Sequence, residues 1–279
     1  MIGRMSPTQT VVITGAAGKV GRLLRQRLAR PGRVLRLIDI AAAEPAGPDE
    51  PVEVITSTVT DLSALEAAFA GADAIIHLGG QSRESDILDV LQNNAYGTYC
   101  VFEAARRAGV RRIVFASSNH ATGFHDRADA PPDGIPGDAP GRPDTLYGWS
   151  KAASEAMASL YADRFGLDVI CTRIGMCMPR PSDVRSLALW LSPDDAARLF
   201  EACLATEAPG FRQIWGISRN ARRFLSLAEG EALGYQPKDD SEEYAEAVIA
   251  QHGTPDYAND LVLRRIGGQW CEVPLGEPY

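Results

Sequence analysis

Tyr147 and Lys151 lie four residues apart in the segment TLYGWSKAASEA, a spacing that puts a phenol and an ammonium on one face of a helix. Free tyrosine titrates near 10 and is a poor base at neutral pH. A fixed cation nearby favours phenolate and would lower the pKa of Tyr147. The pair is therefore a candidate for taking a proton from an alcohol as hydride leaves the adjoining carbon. The alternative is a half-buried aromatic beside a solvated lysine.

Ser118 supplies a third group for the same chemistry. It lies in FASSNH, at the end of the apolar run over residues 112–117. Ligands of parallel sheets bind beyond the carboxyl ends of the strands, so we expect Ser118 to donate a hydrogen bond to the reacting oxygen. Ser117, one residue earlier, is expected to be structural or to contact a cofactor through its backbone.

A glycine-bearing turn, TGAAGKVG, follows the first apolar run and opens a helix. Gly15 allows a tight turn, Gly18 lets backbone N–H groups approach a pyrophosphate, and Gly21 lets the helix pack closely on the sheet. The helix N-terminus adds partial positive charge for the phosphates. A merely glycine-rich loop is the alternative, but the strand–turn–helix context favours dinucleotide binding.

Asp39 ends the second apolar run, 18 residues after Gly21. A carboxylate there can accept hydrogen bonds from both ribose hydroxyls of NAD and would repel a 2′-phosphate. Because no arginine follows in IDIAAAE, NAD is favoured over NADP. The segment HLGG, from His77 to Gly80, closes the fourth run where backbone could pass beneath the cofactor. His77 is expected to be packed rather than catalytic.

Short apolar runs alternate with helical segments in the first two thirds of the chain, which indicates an α/β fold with a Rossmann-type, doubly wound parallel sheet. The strands are predicted at 11–14, 34–40, 52–57, 74–78, 112–117 and 169–174. Residues 126–144 are rich in Pro, Gly and Asp and predict a surface loop. After Gly175 the alternation fades, with helices predicted at 193–206 and 241–251 and a strand at 213–218. We therefore expect a dinucleotide-binding domain over 1–175 and a small mixed substrate lobe over 176–279.

Composition narrows the function classes. The net charge of −8 argues against a nucleic-acid partner. No apolar run approaches the ~20 residues of a membrane span. The start, MIGRMSPTQT, lacks an apolar signal core, and five cysteines without a Cys-x-x-Cys motif suit buried free thiols in the cytoplasm. No metal-ligand spacing is visible. A homo-oligomer is the general expectation for a soluble protein, without an identifiable interface.

As a set, TGAAGKVG, Asp39, HLGG, Asn94 in LQNNAYG, Ser118 and YGWSK resemble the extended short-chain dehydrogenase/reductase family. Within it, IVFASSNHATG, RPDTLYGWSK, TRIGMCMPRPSDVRSLALWLSPDD and GYQPKDD are similar to the uronate dehydrogenase group. The resemblance implies oxidation of the C1 hemiacetal of D-glucuronate or D-galacturonate to an aldarolactone, with NAD as hydride acceptor.

Site residues follow from that resemblance, position by position. Tyr147 is the base, Lys151 its activator and Ser118 the oxygen donor. Arg185 falls where the substrate carboxylate is held, and guanidinium suits that task through two parallel hydrogen bonds. Further substrate contacts are implied at Ser82, Asn119 and His120. Cofactor contacts are implied at Gly15, Ala17, Gly18, Lys19, Val20, Gly21, Asp39, Leu78, Gly79, Asn94, Ser117, Tyr147, Lys151 and Ile174.

One segment departs from the family pattern. The family carries an Asp-Leu pair after the third strand, whose Asp contacts adenine. This chain reads STVTDL, so either Thr58 or a shifted Asp61 occupies that place.

Two other functions compete. A nucleotide-sugar epimerase or dehydratase shares the sheet and the base, but it needs a larger C-terminal lobe than residues 176–279 provide. A dehydratase also needs acidic residues beside the catalytic serine, where this chain has Asn119 and His120. A non-catalytic NAD-sensing regulator would have no need of the Tyr–Lys pair, which is present.

Overall fold

A computed structural model describes residues 8–279, so most of the amino-terminal segment used above to argue against export lies outside the described residues. The strands are β1 Gln9–Thr14, β2 Arg33–Asp39, β3 Val52–Thr56, β4 Ala74–His77, β5 Arg112–Ser118, β6 Asp168–Ile174, β7 Met176–Cys177, β8 Trp190–Leu191 and β9 Phe211–Gly216. Seven of them form one parallel sheet in the order β3-β2-β1-β4-β5-β6-β9, and β7 and β8 form a separate pair.

Helices cover both faces of the sheet. They are α1 Lys19–Leu28, α2 Leu62–Phe69, α3 Ile87–Val90, α4 Gly97–Ala108, α5 Leu146–Phe165, α6 Ser186–Leu189, α7 Pro193–Ala205, α8 Ala228–Ala232, α9 Ala245–His252 and α10 Leu261–Arg264. A π-helical segment, Leu91–Tyr96, joins α3 to α4. Single 3₁₀ turns occupy Asn119–Thr122, Arg127–Asp129, Ser241–Tyr244 and Gly268–Glu272.

The apolar runs of the sequence form the central strands, because helices cover both faces of the sheet. Val11 and Ile13 of β1 pack into a core with α1 and α7, while Val12 packs into the opposite core with α2, α4 and α5. The strand order reverses between β1 and β4, which leaves a crevice at their carboxyl ends. The predicted doubly wound parallel sheet is confirmed.

The carboxyl-terminal third contributes to this same sheet. The strand predicted at 213–218 is β9, which begins earlier and pairs with β6 as the edge strand. Helix α7 packs against α1, with Arg27 and Asp194 forming an ion pair of 2.7 Å. The helix predicted at 241–251 divides into a 3₁₀ turn and α9. A domain boundary after residue 175 stays a prediction. Strand β9 and helix α7 lie beyond that residue but pack against β6 and α1, which precede it.

The irregular segment 126–144 is held against the sheet by its backbone. The Trp215 indole donates to the carbonyl oxygen of Ile135 at 2.8 Å, and Arg173 donates to that of Ala139 at 2.7 Å. All five cysteines are free. Cys177 and Cys271 are half-buried, so the expectation of uniformly buried thiols is wrong for these two.

Candidate active site

A cavity of about 850 Å³ opens at the carboxyl ends of the strands. The structure brings most of the predicted site residues into its wall: Gly15, Ala17, Gly18, Lys19, Val20, Gly21, Asp39, Leu78, Gly79, Ser82, Ser117, Ser118, Tyr147, Lys151 and Ile174. Four predicted residues do not line it, namely Asn94, Asn119, His120 and Arg185.

The glycine turn can approach a dinucleotide closely because its glycines carry no side chains at points where backbone segments nearly touch. Gly15 has φ of +70°, and a Cβ there would lie 2.6 Å from the backbone nitrogen of Gly79. A Cβ on Gly21 would lie 2.6 Å from the carbonyl oxygen of Ala16, so α1 could not start so close to the turn. Gly18 is the N-cap of α1. The free N–H groups of the first helical turn therefore face the cavity, as a pyrophosphate requires.

Asp39 is fixed by two backbone donors at the end of β2. Its Oδ2 accepts from the Ala17 N–H and its Oδ1 from the Ala41 N–H, both at 2.9 Å. These bonds aim the carboxylate into the cavity beside the glycine turn. Thr58 also lines the cavity, whereas Asp61 caps α2 by accepting from the Ala64 N–H at 3.0 Å. Of the two candidates for the adenine contact, the structure places only Thr58 in the cavity.

Asn94 braces the loop after β4. Its Oδ1 accepts from the Gln81 N–H at 2.7 Å, and its amide donates to Gln81 O and to Ser150 Oγ. The residue lies in the π-helical segment, a local widening that is frequent at functional sites. Its neighbour Asn93, which the sequence did not indicate, lines the cavity. Cofactor contact by Asn94 stays a prediction.

His77 is a packed histidine, as expected. Its ring nitrogens hydrogen-bond with the hydroxyls of Thr14 (2.7 Å) and Thr98 (3.2 Å). Complete burial, with a smaller contribution from the Lys151 charge, lowers the pKa of His77 to about 3. The ring is therefore neutral and forms part of the floor beneath the cavity.

Tyr147 lies in the first turn of α5. Thr145 caps this helix by accepting from the Gly148 N–H at 3.0 Å. Burial raises the pKa of Tyr147 to about 12, although a hydrogen bond with Ser118 works in the opposite direction. The expectation of a lowered pKa for Tyr147 is therefore wrong when only the protein's own groups act on the phenol. Burial, which the sequence does not report, is the largest cause of the raised pKa.

Lys151 is buried one turn further along α5. Its Nζ donates to the carbonyl oxygen of Ala116 at 2.8 Å and lies 4.9 Å from the centroid of the Phe115 ring. Burial lowers the pKa of Lys151 to about 8, while Glu155 opposes the change. Ser117 donates to Glu155 at 2.5 Å, so this serine supports the buried carboxylate beneath the site.

His120 lies next to Tyr147, and two neighbouring side chains fix the position of its ring. Its Nδ1 lies 2.7 Å from the buried Asp144 carboxylate, and its ring stacks on Trp270 at 4.2 Å. Burial lowers the pKa of His120 despite the hydrogen bond that its ring makes to Asp144. A neutral ring that donates through Nδ1 leaves Nε2 as an acceptor for a substrate hydroxyl.

Arg185 and Asn119 converge on one carbonyl oxygen. The Arg185 Nη2 and the Asn119 amide both donate to Ile266 O, the latter at 3.1 Å. Burial lowers the pKa of Arg185, with the charges of Asp183 and Asp144 opposing it. Its buried Nε has no hydrogen-bond partner within residues 8–279. The guanidinium thus lies near His120 but outside the wall of the cavity, and its role as a carboxylate clamp stays a prediction.

Sequence reasoning missed several wall residues. Trp270, from the 3₁₀ turn near the carboxyl terminus, reaches the cavity and lies 6.0 Å from Tyr147, ring to ring. Nothing in its local sequence marks it. The remaining missed wall residues surround the predicted ones: Ile40, Ala41, Ser57, Val59, Gly80, Gln81, Arg83, Asn93, Ala116, Gly175, Cys177 and Met178.

Comparison with known proteins agrees with this geometry. The model of the NAD dependent epimerase/dehydratase family matches residues 11–178. The chain is 44% identical over 247 residues to uronate dehydrogenase from Pseudomonas putida, covering 88% of this chain and 90% of that one. An NAD complex of a mutant uronate dehydrogenase from Agrobacterium tumefaciens superposes with a TM-score of 0.88 at 38% identity, covering 95% and 98% of the two chains. NAD-dependent glucose-6-phosphate dehydrogenase from Haloferax volcanii is 36% identical, covering 85% and 95%.

The sheet, the glycine turn and the Ser–Tyr–Lys group define a Rossmann-fold oxidoreductase of the short-chain type. The chain belongs to the NAD dependent epimerase/dehydratase family and, within it, to the uronate dehydrogenase group. The resemblance inferred from sequence motifs is confirmed.

Proposed function

We propose that the protein oxidises the C1 hydroxyl of D-glucuronate or D-galacturonate to the corresponding aldarolactone, with NAD as hydride acceptor. The observation that carries this proposal is that Ser118, Tyr147 and Lys151 share one cavity with the glycine turn and Asp39. The chain aligns with 90% of the uronate dehydrogenase from Pseudomonas putida, which supports a uronate as the substrate. The cyclic hemiacetal loses hydride from C1 and the hydroxyl proton to Tyr147, so that C1 becomes a lactone carbonyl.

The cavity suits NAD over its whole length. The turn from Gly15 to Gly21 would hold the pyrophosphate, and Asp39 would accept both hydroxyls of the adenosine ribose. Thr58 and the exposed Ile40, which line the cavity beside Asp39, would contact adenine. Bound NAD supplies the hydride acceptor and a positive charge on its nicotinamide ring.

Proton transfer depends on the charges around Tyr147. The phenol is protonated in the protein alone, because burial raises its pKa to about 12. Each added positive charge nearby favours phenolate. Lys151 is held in place by Ala116 and can provide such a charge when protonated. Ser118 then orients the substrate oxygen toward the phenolate.

Arg185 would bind the substrate carboxylate at the far end of the sugar. Within residues 8–279 its Nε has no hydrogen-bond partner, and this and its nearness to His120 support the role. His120 and Asn119 would contact sugar hydroxyls, and Ser82 would close the site from the β4 side. A uronate matches this set of side chains because it carries one carboxylate and several hydroxyls.

Activity assays test the proposal. Purified protein is mixed with NAD and, separately, with glucuronate, galacturonate, glucose, arabinose, glucose 6-phosphate and a UDP-sugar, and NADH absorbance is followed. We expect NADH with the uronates. Turnover of neutral or phosphorylated sugars without uronates would exclude the carboxylate clamp. Conversion of the UDP-sugar alone would favour an epimerase.

We also propose a cytoplasmic homo-oligomer. No helix within residues 8–279 is long and apolar enough to cross a membrane. Four large apolar side chains are exposed on the π-helical segment, on α4 and on α5: Tyr96, Tyr99, Leu160 and Phe165. Their exposure supports contact with a second copy of the chain. Light scattering after size exclusion tests the assembly, and the mass of one chain at all concentrations would exclude it. Cell fractionation tests the compartment.

A further inference from the structure

Glu84 is a fully buried carboxylate held by two backbone donors from distant segments. Its Oε2 accepts from the Tyr147 N–H and its Oε1 from the Gly276 N–H, both at 2.8 Å. Within residues 8–279 no lysine, arginine or histidine forms an ion pair with it. A buried charge is unfavourable unless it is well hydrogen-bonded. The geometry therefore ties this carboxylate to the catalytic helix and to the carboxyl terminus at once.

The contact with Tyr147 lies at the positive end of α5. Backbone N–H groups of a first helical turn have no partner within the helix, and Thr145 satisfies only that of Gly148. The first turn of α5 contains no acidic residue of its own. Glu84 therefore supplies both the acceptor for Tyr147 and the negative charge that stabilises this helix end.

The contact with Gly276 holds residues 268–279, hereafter the C-terminal segment. Tyr279 N–H donates to the backbone oxygen of Glu84 at 3.3 Å. Inside the segment, Tyr279 packs edge-on against Trp270 at 5.4 Å and accepts from Gln269 at 2.7 Å. Much of the segment is exposed, and its other attachments include the Cys271 thiol on Gly123 O and the stacking of Trp270 on His120, so the bonds to Glu84 hold its far end.

Trp270 makes this attachment relevant to the site. Its indole forms part of the cavity wall, stacks on His120 and lies 6.0 Å from the Tyr147 ring. If the segment moved away, the cavity would lose this wall and His120 would lose its stacking partner. Both changes would fall on the substrate half, because the hydrogen bonds that hold Asp39 and the close approaches of Gly15 and Gly21 involve residues outside the segment.

We propose that Glu84 is a positioning residue that fastens the C-terminal segment to the first turn of α5 and so holds Trp270 as a wall of the substrate half. The nature of the substrate in this proposal rests on the proposed function. Glu84 touches none of the reacting atoms. It acts through the backbone of Tyr147 and through Trp270.

Glu84→Gln in the full-length protein tests this role, with the exposed Glu207→Gln as matched control. The amide retains one acceptor but presents a donor to the other N–H, so one of the two bonds is lost. We expect faster hydrogen exchange in the peptides holding Gly276 and Tyr147, and a KM for uronate raised by about tenfold. The KM for NAD should remain within about twofold, and Glu207→Gln should match the wild type.

A double-mutant cycle separates positioning from general destabilisation. Trp270→Ala alone should raise the KM for uronate, and Glu84→Gln should then add little, because both changes remove the same wall. Full additivity of the two effects would overturn the proposal, as would unchanged exchange and KM in Glu84→Gln. If Glu84→Gln does not fold, a wild-type KM in Trp270→Ala would overturn it instead. Failure of the proposed function would appear differently, as wild-type protein that produces no NADH with uronates while Glu84→Gln still alters hydrogen exchange.

Discussion

The cofactor half and the substrate half of the cavity are assembled in different ways. Most of the cofactor half comes from one stretch of chain, residues 15–21, with further wall residues at the next strand ends, among them Asp39, Thr58 and Leu78. The substrate half draws on remote places: Ser82 after β4 and Trp270 near the carboxyl terminus line the cavity, while His120 after β5 and Arg185 before α6 lie outside its wall. Local geometry therefore determines the first half and tertiary packing determines the second.

This difference predicts how each half responds to mutation. A change in the cofactor half should alter NAD binding and leave uronate binding intact. A change in the substrate half should do the reverse. Tyr147 lies between them, and its substitution should affect the chemical step alone.

Tyr147→Phe should give the largest effect, a loss of kcat on the order of 10³-fold, because the phenyl ring cannot accept the proton. The affinities for NAD and uronate should be retained, and steady-state kinetics with equilibrium binding would measure both. Tyr244→Phe, on a residue that does not line the cavity, serves as control. Full turnover by Tyr147→Phe would exclude this residue as the base.

Arg185→Ala should raise the KM for uronate by about 10²-fold by removing a charge-assisted contact, with little change for NAD. Arg185→Lys should recover only part of this loss, because an ammonium cannot form two parallel bonds to a carboxylate. Initial-rate measurements over a range of both substrates check these values. The exposed Arg212→Ala is the control, and unchanged uronate kinetics in Arg185→Ala would place the carboxylate elsewhere.

Asp39→Ala should act only on the cofactor half. We expect a KM for NAD about tenfold higher and a weaker preference over NADP, because the repulsion of a 2′-phosphate is lost. The KM for uronate at saturating NAD should stay constant. Rates with NAD and NADP would be compared with those of the exposed Asp49→Ala. A retained preference for NAD would show that another residue discriminates between the two cofactors.

His77 gives the least local effect, through stability at acid pH, and leaves both halves of the cavity unchanged at neutral pH. Its pKa is lowered from the ordinary 6.5 to about 3 by burial, so the unfolded chain binds a proton that the folded protein resists. Stability should therefore be complete above pH 6.5 and fall as the pH decreases toward 3, by at most about 1.4 kcal/mol per pH unit from this group. His77→Gln should lessen that slope in urea unfolding across the range, whereas the exposed His252→Gln should not. Equal slopes in all three proteins would contradict this assignment.

Sequence patterns predicted the cofactor half well because its requirements are local. Each glycine of the turn answers a backbone constraint, and Asp39 follows at a fixed interval along the chain. Ser118, Tyr147 and Lys151 were also found, since strand ends and helical spacing place them.

The sequence could not predict the properties that depend on packing. The pKa of Tyr147 is raised rather than lowered because the phenol is buried, and burial is set by residues far along the chain. Trp270 and Glu84 carry no local motif, and their relevance follows only from contacts across long stretches of sequence. The bracing of Gln81 by Asn94 likewise follows only from the folded structure, and its predicted cofactor contact stays a prediction.

Transfer of a deuterium label tests the central claim most directly. Glucuronate or galacturonate carrying deuterium at C1 is oxidised by the wild-type protein, and the reduced cofactor is isolated for mass spectrometry. The account predicts one deuterium in each reduced cofactor and none left at C1 of the lactone. Unlabelled reduced cofactor, with deuterium retained in the sugar product, would contradict it.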